Sequence, residues 1–319
     1  MKILVCMPVT QEHKTWLEKA AGNDTLVYSS QEEIPEEAIR DADIVIGNPP
    51  ASSLYHAKKL RLLQLNSAGT GEYVSALPKA CPGAMLACAT GSYGLAISEY
   101  MLGVLLMMMK KLALYRDDQF EGKWEPLGFV DSIEGANALV IGMGDIGSAF
   151  AKRLHLLGAH VTGIRRTEGE KPDYTEKVYT VDKLEECLPH ADIIAMSMPE
   201  TPETKGMINA KRLALTKRGA YLINVGRGSA IDQQALIEAL RSGQLGGAAL
   251  DVTTPEPLPQ DDPLWKEPHC IITPHVSGGY RLPETHNKII RLACRNIENI
   301  RAGRTPESLV DFTTGYRAR

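Results

Sequence analysis

The sequence predicts an α/β protein built on parallel sheets, and three observations predict it. Short apolar runs alternate with polar, helix-compatible segments over the first hundred residues. A second series with the same alternation follows from residue 138. Between an apolar run and an amphipathic stretch stands a glycine-rich turn, GMGDIG at 142–147. Alternation of this kind favours parallel strands with helices on both faces. In chain order, strands are expected at 2–7, 25–28, 44–47, 62–66 and 85–89, with helices such as 11–20 and 31–40 between them. Residues 98–112 read as a long helix with Ser98 as its N-cap. It is apolar at nearly every position from 101 to 109, which calls for burial between domains or subunits. The second series has strands at 138–141, 160–164, 191–196, 220–225, 247–251 and 271–272, and a helix at 146–157. The final helix, 284–302, carries Ile289, Ile290, Leu292, Ala293, Ile297 and Ile300 at helical spacing.

Composition narrows the function classes. The 319 residues are 44% apolar and 23% charged, the balance of a globular chain. A net charge of −4 argues against nucleic acid or a membrane surface as a general partner. The opening MKILVCMPVT has too short an apolar run for a secretory signal and reads as a first strand. The apolar stretch 101–109 is half the length of a membrane span. Six cysteines are scattered with no CxxC pair and no zinc spacing, the usage of reduced thiols in a cytoplasmic protein without a metal.

GMGDIG has the GxGxxG spacing, common by itself and specific in this strand–turn–helix setting. Gly142 permits the tight turn, Gly144 lets backbone approach a pyrophosphate, and Gly147 lets helix and strand pack closely. Asp145 and Ile146 open the helix whose positive end faces that pyrophosphate. The next strand ends in Arg165 and Arg166, about where a carboxylate for the ribose 2′-hydroxyl is expected. A guanidinium binds a 2′-phosphate instead, so the site should prefer NADP(H) over NAD(H), without excluding the latter. In the competing reading the arginines are a solvated pair and Glu168 takes the acid's part.

Three downstream segments bring chemistry to strand ends: NVGRG at 224–228, LDVTTPEP at 250–257 and TPHVSGG at 273–279. With GMGDIG and the turn SMPETPET at 197–204, they stand in the order seen in the D-isomer-specific 2-hydroxyacid dehydrogenase family, which the chain resembles over nearly its whole length. The resemblance implies an oxidoreductase that transfers a hydride between NAD(P)H and a 2-oxo acid, giving a D-2-hydroxy acid. It implies His275 as general acid and base, Glu256 as the carboxylate on its other ring nitrogen, and Arg227 as the group that binds the substrate carboxylate. Asp251 would hold the nicotinamide carboxamide. Pro199, Thr204, Val225, Gly226 and Gly278 would complete the cofactor site.

The resemblance also implies a substrate loop at Ser67, Ala68 and Gly69, whose small residues let backbone N–H groups reach a carboxylate. Asn48 stands at a neighbouring strand end. The architecture implied is two Rossmann-like or flavodoxin-like domains: 1–98 with 285–319 for the substrate, and 99–284, inserted, for the dinucleotide. Their cleft would close on the ligands, and the apolar helix after Ser98 would join two copies as a homodimer. Two other readings stay open. One is a phosphoglycerate dehydrogenase-like enzyme, against which stand Arg165 and the lack of a regulatory segment after Arg319. The other is a dinucleotide-sensing protein without catalysis. Formate oxidation is disfavoured, because Glu256 stands where the family's formate enzymes carry Gln.

Overall fold

The computed structural model describes residues 1–280, 282–315 and 317–318. The chain divides into two compact units, Met1–Tyr93 with Gly279–Arg319, and Gly94–Gly278. The borders fall a few residues before those expected from sequence, for a local reason. The long apolar helix begins at Gly94, and Ser98 lies inside it, its hydroxyl donating back to the Gly94 carbonyl. A serine that bonds the carbonyl four residues earlier is a mid-helix residue, not an N-cap.

The first unit holds β1 (Lys2–Cys6), α1 (Gln11–Ala21), β2 (Thr25–Tyr28), α2 (Glu36–Arg40), β3 (Ile44–Gly47), β4 (Leu62–Gln64), α3 (Tyr73–Ala80) and β5 (Met85–Ala87). The five strands lie in the order β2-β1-β3-β4-β5, every pair parallel. This is the flavodoxin-like winding. Helix α2 is shorter than its polar pattern suggested, because Pro35 occupies its N-cap in extended conformation. Leu4, Val45, Leu54, Leu63, Leu77 and Leu86 are fully buried in the core, each contributing about 1.5–3 kcal/mol of transfer free energy. The free edge of β5 is covered from the C-terminal side: Cys88 N–H donates to Ser308 O and Val310 N–H to Leu86 O.

The second unit opens with α4 (Gly94–Met109) and α5 (Leu112–Glu121). Then come β6 (Asn137–Ile141), α6 (Asp145–Leu156), β7 (His160–Arg165), β8 (Lys177–Thr180), α7 (Leu184–Cys187) and β9 (Ile193–Met196). The series ends with α8 (Ala210–Leu215), β10 (Ala220–Asn224), α9 (Gln233–Arg241), β11 (Leu245–Leu250) and β12 (Cys270–Ile272). The seven strands run β12-β11-β10-β9-β6-β7-β8, all parallel. The order reverses between β6 and β9, the switch point at which doubly wound sheets bind ligands beyond their carboxyl ends. β8 escaped the sequence pattern: Lys177 is exposed and the other three residues are half-exposed, so it lacks the apolar run that marks the inner strands. The last helix, α10 (Pro283–Arg301), returns to the first unit and packs its apolar face against α1. Among the described residues no helix is long and apolar enough to cross a membrane.

Candidate active site

The carboxyl edge of the seven-stranded sheet carries the site. At the end of β6, Gly142 has φ +97, a left-handed turn that L side chains rarely adopt. A Cβ on Gly147 would stand 1.9 Å from the Gly142 carbonyl oxygen, so only glycine lets α6 start this close to the strand. Gly144 differs: it is exposed, and a Cβ there would meet no protein atom within 4 Å. Nothing in the protein requires glycine at 144, whereas a phosphate approaching the backbone would. Gly144 is also the N-cap of α6 and supplies no side-chain cap, leaving the first N–H groups of the helix to a ligand. These features fit a dinucleotide pyrophosphate. The Asp145 side chain accepts from Gly94 N–H at 2.8 Å, which ties the start of α6 to the start of α4. Ile146 beside it is half-buried.

Arg165 ends β7 as expected, and its guanidinium folds over its own loop, donating to the carbonyls of Gly169 and Glu170. Arg166 next to it is exposed, as is Glu168. Across the switch point, Pro199 is exposed and its carbonyl accepts from the Thr204 hydroxyl at 2.8 Å, which holds the 199–204 turn in shape. Val225 is buried, its N–H spent on Met196 O at 3.0 Å. Gly226 N–H donates to Asn224 Oδ1 at 3.0 Å.

The three candidate catalytic residues follow three neighbouring strands, β10, β11 and β12, and Glu256 and His275 are in contact. Arg227 follows β10, with its backbone carbonyl held by Asn224 Nδ2 at 2.9 Å and its Nη1 on Gly226 O at 2.7 Å. Gly228 lies against the backbone of Thr253 after β11, where a Cβ would come within 2.1 Å. Thr253 N–H donates to Glu256 Oε1 at 3.0 Å, and Glu256 Oε2 meets His275 Nδ1 at 2.9 Å. Among the described residues, His275 Nε2 has no partner. The histidine side chain is half-exposed. The peptide bonds Thr254–Pro255 and Glu256–Pro257 are both cis.

His275 has φ +50, a left-handed conformation that costs a non-glycine residue on the order of 1 kcal/mol. The surrounding hydrogen bonds hold it there. Its N–H donates to Asp251 O and Thr273 O, and the turn that follows wraps the Asp251 carboxylate. Oδ1 accepts from Thr273 Oγ1 at 2.6 Å and Val276 N–H at 2.8 Å, and Oδ2 from both the N–H and the hydroxyl of Ser277. A carboxylate has about four lone-pair sites, and these donors take them all. Asp251 is almost fully buried, and losing such donors costs a buried charge several kcal/mol. The family resemblance implies that this carboxylate holds the nicotinamide carboxamide; in the folded chain it also shapes the histidine turn, which leads into Gly278.

Comparison with known proteins identifies the domain that carries this edge. The family model for the NAD-binding domain of the D-isomer-specific 2-hydroxyacid dehydrogenases matches residues 102–277. The chain belongs to that family. A glyoxylate/hydroxypyruvate reductase A of Serratia proteamaculans is 30% identical over 285 residues, covering 87% of this chain and 88% of the relative. A solved D-isomer-specific 2-hydroxyacid dehydrogenase family protein of Aeromonas salmonicida is 32% identical and superposes with a TM-score of 0.86, over 98% of this chain and 99% of that one. A family member from Xanthobacter autotrophicus, solved with NADPH and MES, is 27% identical with a TM-score of 0.83 over 99% of both chains. As in the family, the protein is an NAD(P)-dependent oxidoreductase with two parallel-sheet α/β domains.

Four residues of the second unit were missed by sequence: Asn224, Tyr100, Thr273 and Ser277. Asn224 had a readable signal, an Asn two residues before a glycine N–H, which is the Asx-turn pattern. The hydroxyls of Thr273 and Ser277 had none, because only the folded turn points them at Asp251. In the first unit, the expected substrate loop is organised from Asn48. Its Oδ1 accepts from Asn66 N–H at 3.0 Å and its Nδ2 donates to Ser67 Oγ at 3.0 Å. Ser67 Oγ in turn donates to Gly69 O at 2.6 Å, and Ser67, Ala68 and Gly69 are half-exposed.

Proposed function

We propose that the protein reduces a short 2-oxo acid to its D-2-hydroxy acid, with NADPH preferred to NADH. One observation carries the reading: the Glu256–His275 pair, locked at the carboxyl edge of the dinucleotide sheet with Arg227 on the adjacent strand end. When bound, the nicotinamide supplies a hydride to the carbonyl carbon. His275 Nε2 gives a proton to the carbonyl oxygen and takes it back in the oxidative direction. Glu256 accepts a hydrogen bond from Nδ1–H, which fixes the tautomer and stabilises the imidazolium. Arg227 leaves the Gly226 carbonyl to bind the substrate carboxylate through two charge-assisted hydrogen bonds. The turn at 67–69 is taken as a carboxylate-binding loop of the first unit on the family resemblance.

For the cofactor, Gly142, Gly144, Gly147 and the start of α6 hold the pyrophosphate. Arg165 and Arg166 take the 2′-phosphate, a charged acceptor that outcompetes the neutral carbonyls of Gly169 and Glu170. The NADPH-bound relative from Xanthobacter supports this preference. The test is NADPH and NADH oxidation with a panel of 2-oxo acids, including glyoxylate and hydroxypyruvate. Turnover with the panel and a higher kcat/KM for NADPH is expected. Equal use of NADH would overturn the preference, and inactivity with every acid would favour a dinucleotide sensor.

A homodimer is the expected assembly, and the segment after α5 supports it. Trp124 and Phe129 are each 99% exposed, on a strap pinned by Lys111 Nζ to Leu127 O and by Tyr221 OH to Asp131 at 2.6 Å. Aromatic surface held out in this way is stabilised when a second copy covers it. The half-exposed Leu102 and Leu106 and the exposed Met107 on α4, with exposed Leu112 and Tyr115 on α5, extend the patch. A Trp124→Ser, Phe129→Ser variant should sediment as a monomer. The six free cysteines fit action in the cytoplasm.

A further inference from the structure

Helix α4 reaches the histidine turn through the side chain of Tyr100. Tyr100 OH lies 2.7 Å from Thr273 Oγ1, and Thr273 Oγ1 lies 2.6 Å from Asp251 Oδ1. The direction of both bonds follows from donor counting. A carboxylate accepts only, so the one hydroxyl proton of Thr273 goes to Asp251. Thr273 Oγ1 therefore accepts from Tyr100, and the phenol is the donor at the head of a one-way relay. Burial of the Tyr100 hydroxyl pushes its pKa up to about 12, so the donor keeps its proton throughout the working range.

The relay ends on the carboxylate around which residues 273–277 turn. Of the four donors on Asp251, three belong to Val276 and Ser277, within two residues of His275. The fourth is Thr273, two residues before it. The histidine's left-handed backbone and its alignment to Glu256 depend on that wrap. Tyr100 fixes the rotamer of Thr273 from outside the turn, on a sixteen-residue helix.

We propose that Tyr100 is a positioning residue for the proton-transfer step, acting on His275 through Thr273 and Asp251 without touching either ligand. The inference rests on the assignment of His275 as acid and base. In Tyr100→Phe the ring stays and the donor goes. Thr273 is then free to rotate, the turn loosens, and the Glu256–His275 alignment is held for a smaller fraction of the time. Loss of alignment by a fraction of an ångström costs about tenfold in kcat.

The test is a double-mutant cycle of Tyr100→Phe and Thr273→Val, with Thr273→Ser as the conservative variant and His275→Ala as the control. Tyr100→Phe and Thr273→Val should each lower kcat about tenfold with the Kd for NADPH unchanged. The double variant should be no slower than Thr273→Val alone, because the two residues form one relay. Thr273→Ser should keep the rate. In Tyr100→Phe the solvent isotope effect on kcat should rise, and that from NADPH deuterated at the transferred position should fall, as proton delivery becomes limiting. Amide hydrogen exchange at Val276 and Ser277 should quicken, a readout that does not need turnover. Wild-type kcat and exchange in Tyr100→Phe would overturn the proposal, as would independent, multiplicative losses in the cycle or an equal loss of NADPH binding. If His275→Ala keeps full activity, the acid–base assignment itself fails, whatever Tyr100 does.

Discussion

Two histidine sites in this chain show opposite ways of using an imidazole. His275, in the second unit, is half-exposed, with Nδ1 on a carboxylate and Nε2 without a partner among the described residues. His13 and His286, in the first unit, are buried edge to face, their ring centroids 4.2 Å apart. His13 uses both nitrogens: Nδ1 accepts from Thr10 N–H, so Nε2 carries the proton and donates to Asn287 Oδ1. His286 Nε2 donates to the Pro8 carbonyl, which ties α10 to the loop after β1. Burial holds the His286 pKa below the usual value of 6.5, with His13 adding repulsion against a second charge. A histidine able to exchange protons has one nitrogen fixed by a carboxylate and the other open. A structural one spends its nitrogens on neutral partners.

The largest test of this contrast is to remove both kinds. His275→Ala should lower kcat by about 10²–10⁴-fold, the usual worth of a general acid, and leave the Kd for NADPH unchanged. His286→Gln should change kcat far less and lower the thermal midpoint instead. Equal kcat losses in the two variants would break the distinction.

The second test asks what the open nitrogen works on. Arg227→Gln should lower kcat/KM for a 2-oxo acid by about 2–4 kcal/mol of transition-state binding, since a charge-assisted bidentate pair is lost. A loss confined to NADPH binding would move Arg227 from the substrate to the cofactor. Third, Arg165→Glu should cut the ratio of NADPH to NADH kcat/KM by roughly ten- to a hundredfold, the value of one hydrogen-bonded charge. An unchanged ratio would leave the 2′-phosphate to Arg166 alone.

The smallest effect belongs to the buried pair. The folded pKa of His286 is depressed, so below about 6.5 the unfolded chain binds the proton more readily than the folded one. Its stabilising contribution is intact above 6.5 and is lost as pH falls below it. The thermal midpoint of the wild type should therefore drop more than that of His286→Gln between pH 7 and 5.5. Parallel curves would show that the pair does not titrate in this range.

Much of this site was legible before folding. The glycines at 142–147 and the apolar runs around them pointed to the dinucleotide turn, through local signals: backbone freedom at one turn and short apolar strands. Arg227, Glu256 and His275 were named by the resemblance of NVGRG, PEP and TPH to the family's motifs. What they left open was the use of shared polar groups. In the folded chain the Asp251 carboxylate takes the donors of the histidine turn, and the Asp145 carboxylate takes Gly94 N–H at the start of α4, contacts that neither motif announces.

The sequence by itself determined the parallel α/β class and the titratable groups available at the strand ends, because apolar period and glycine placement act over a few neighbouring residues. Only the tertiary structure decided which donor meets which acceptor. Tyr100 and Thr273 are far apart in the chain, and no residue-level preference makes a tyrosine on an apolar helix point at one hydroxyl. That contact exists because packing of α4 against β10 and β11 brings it within hydrogen-bond reach.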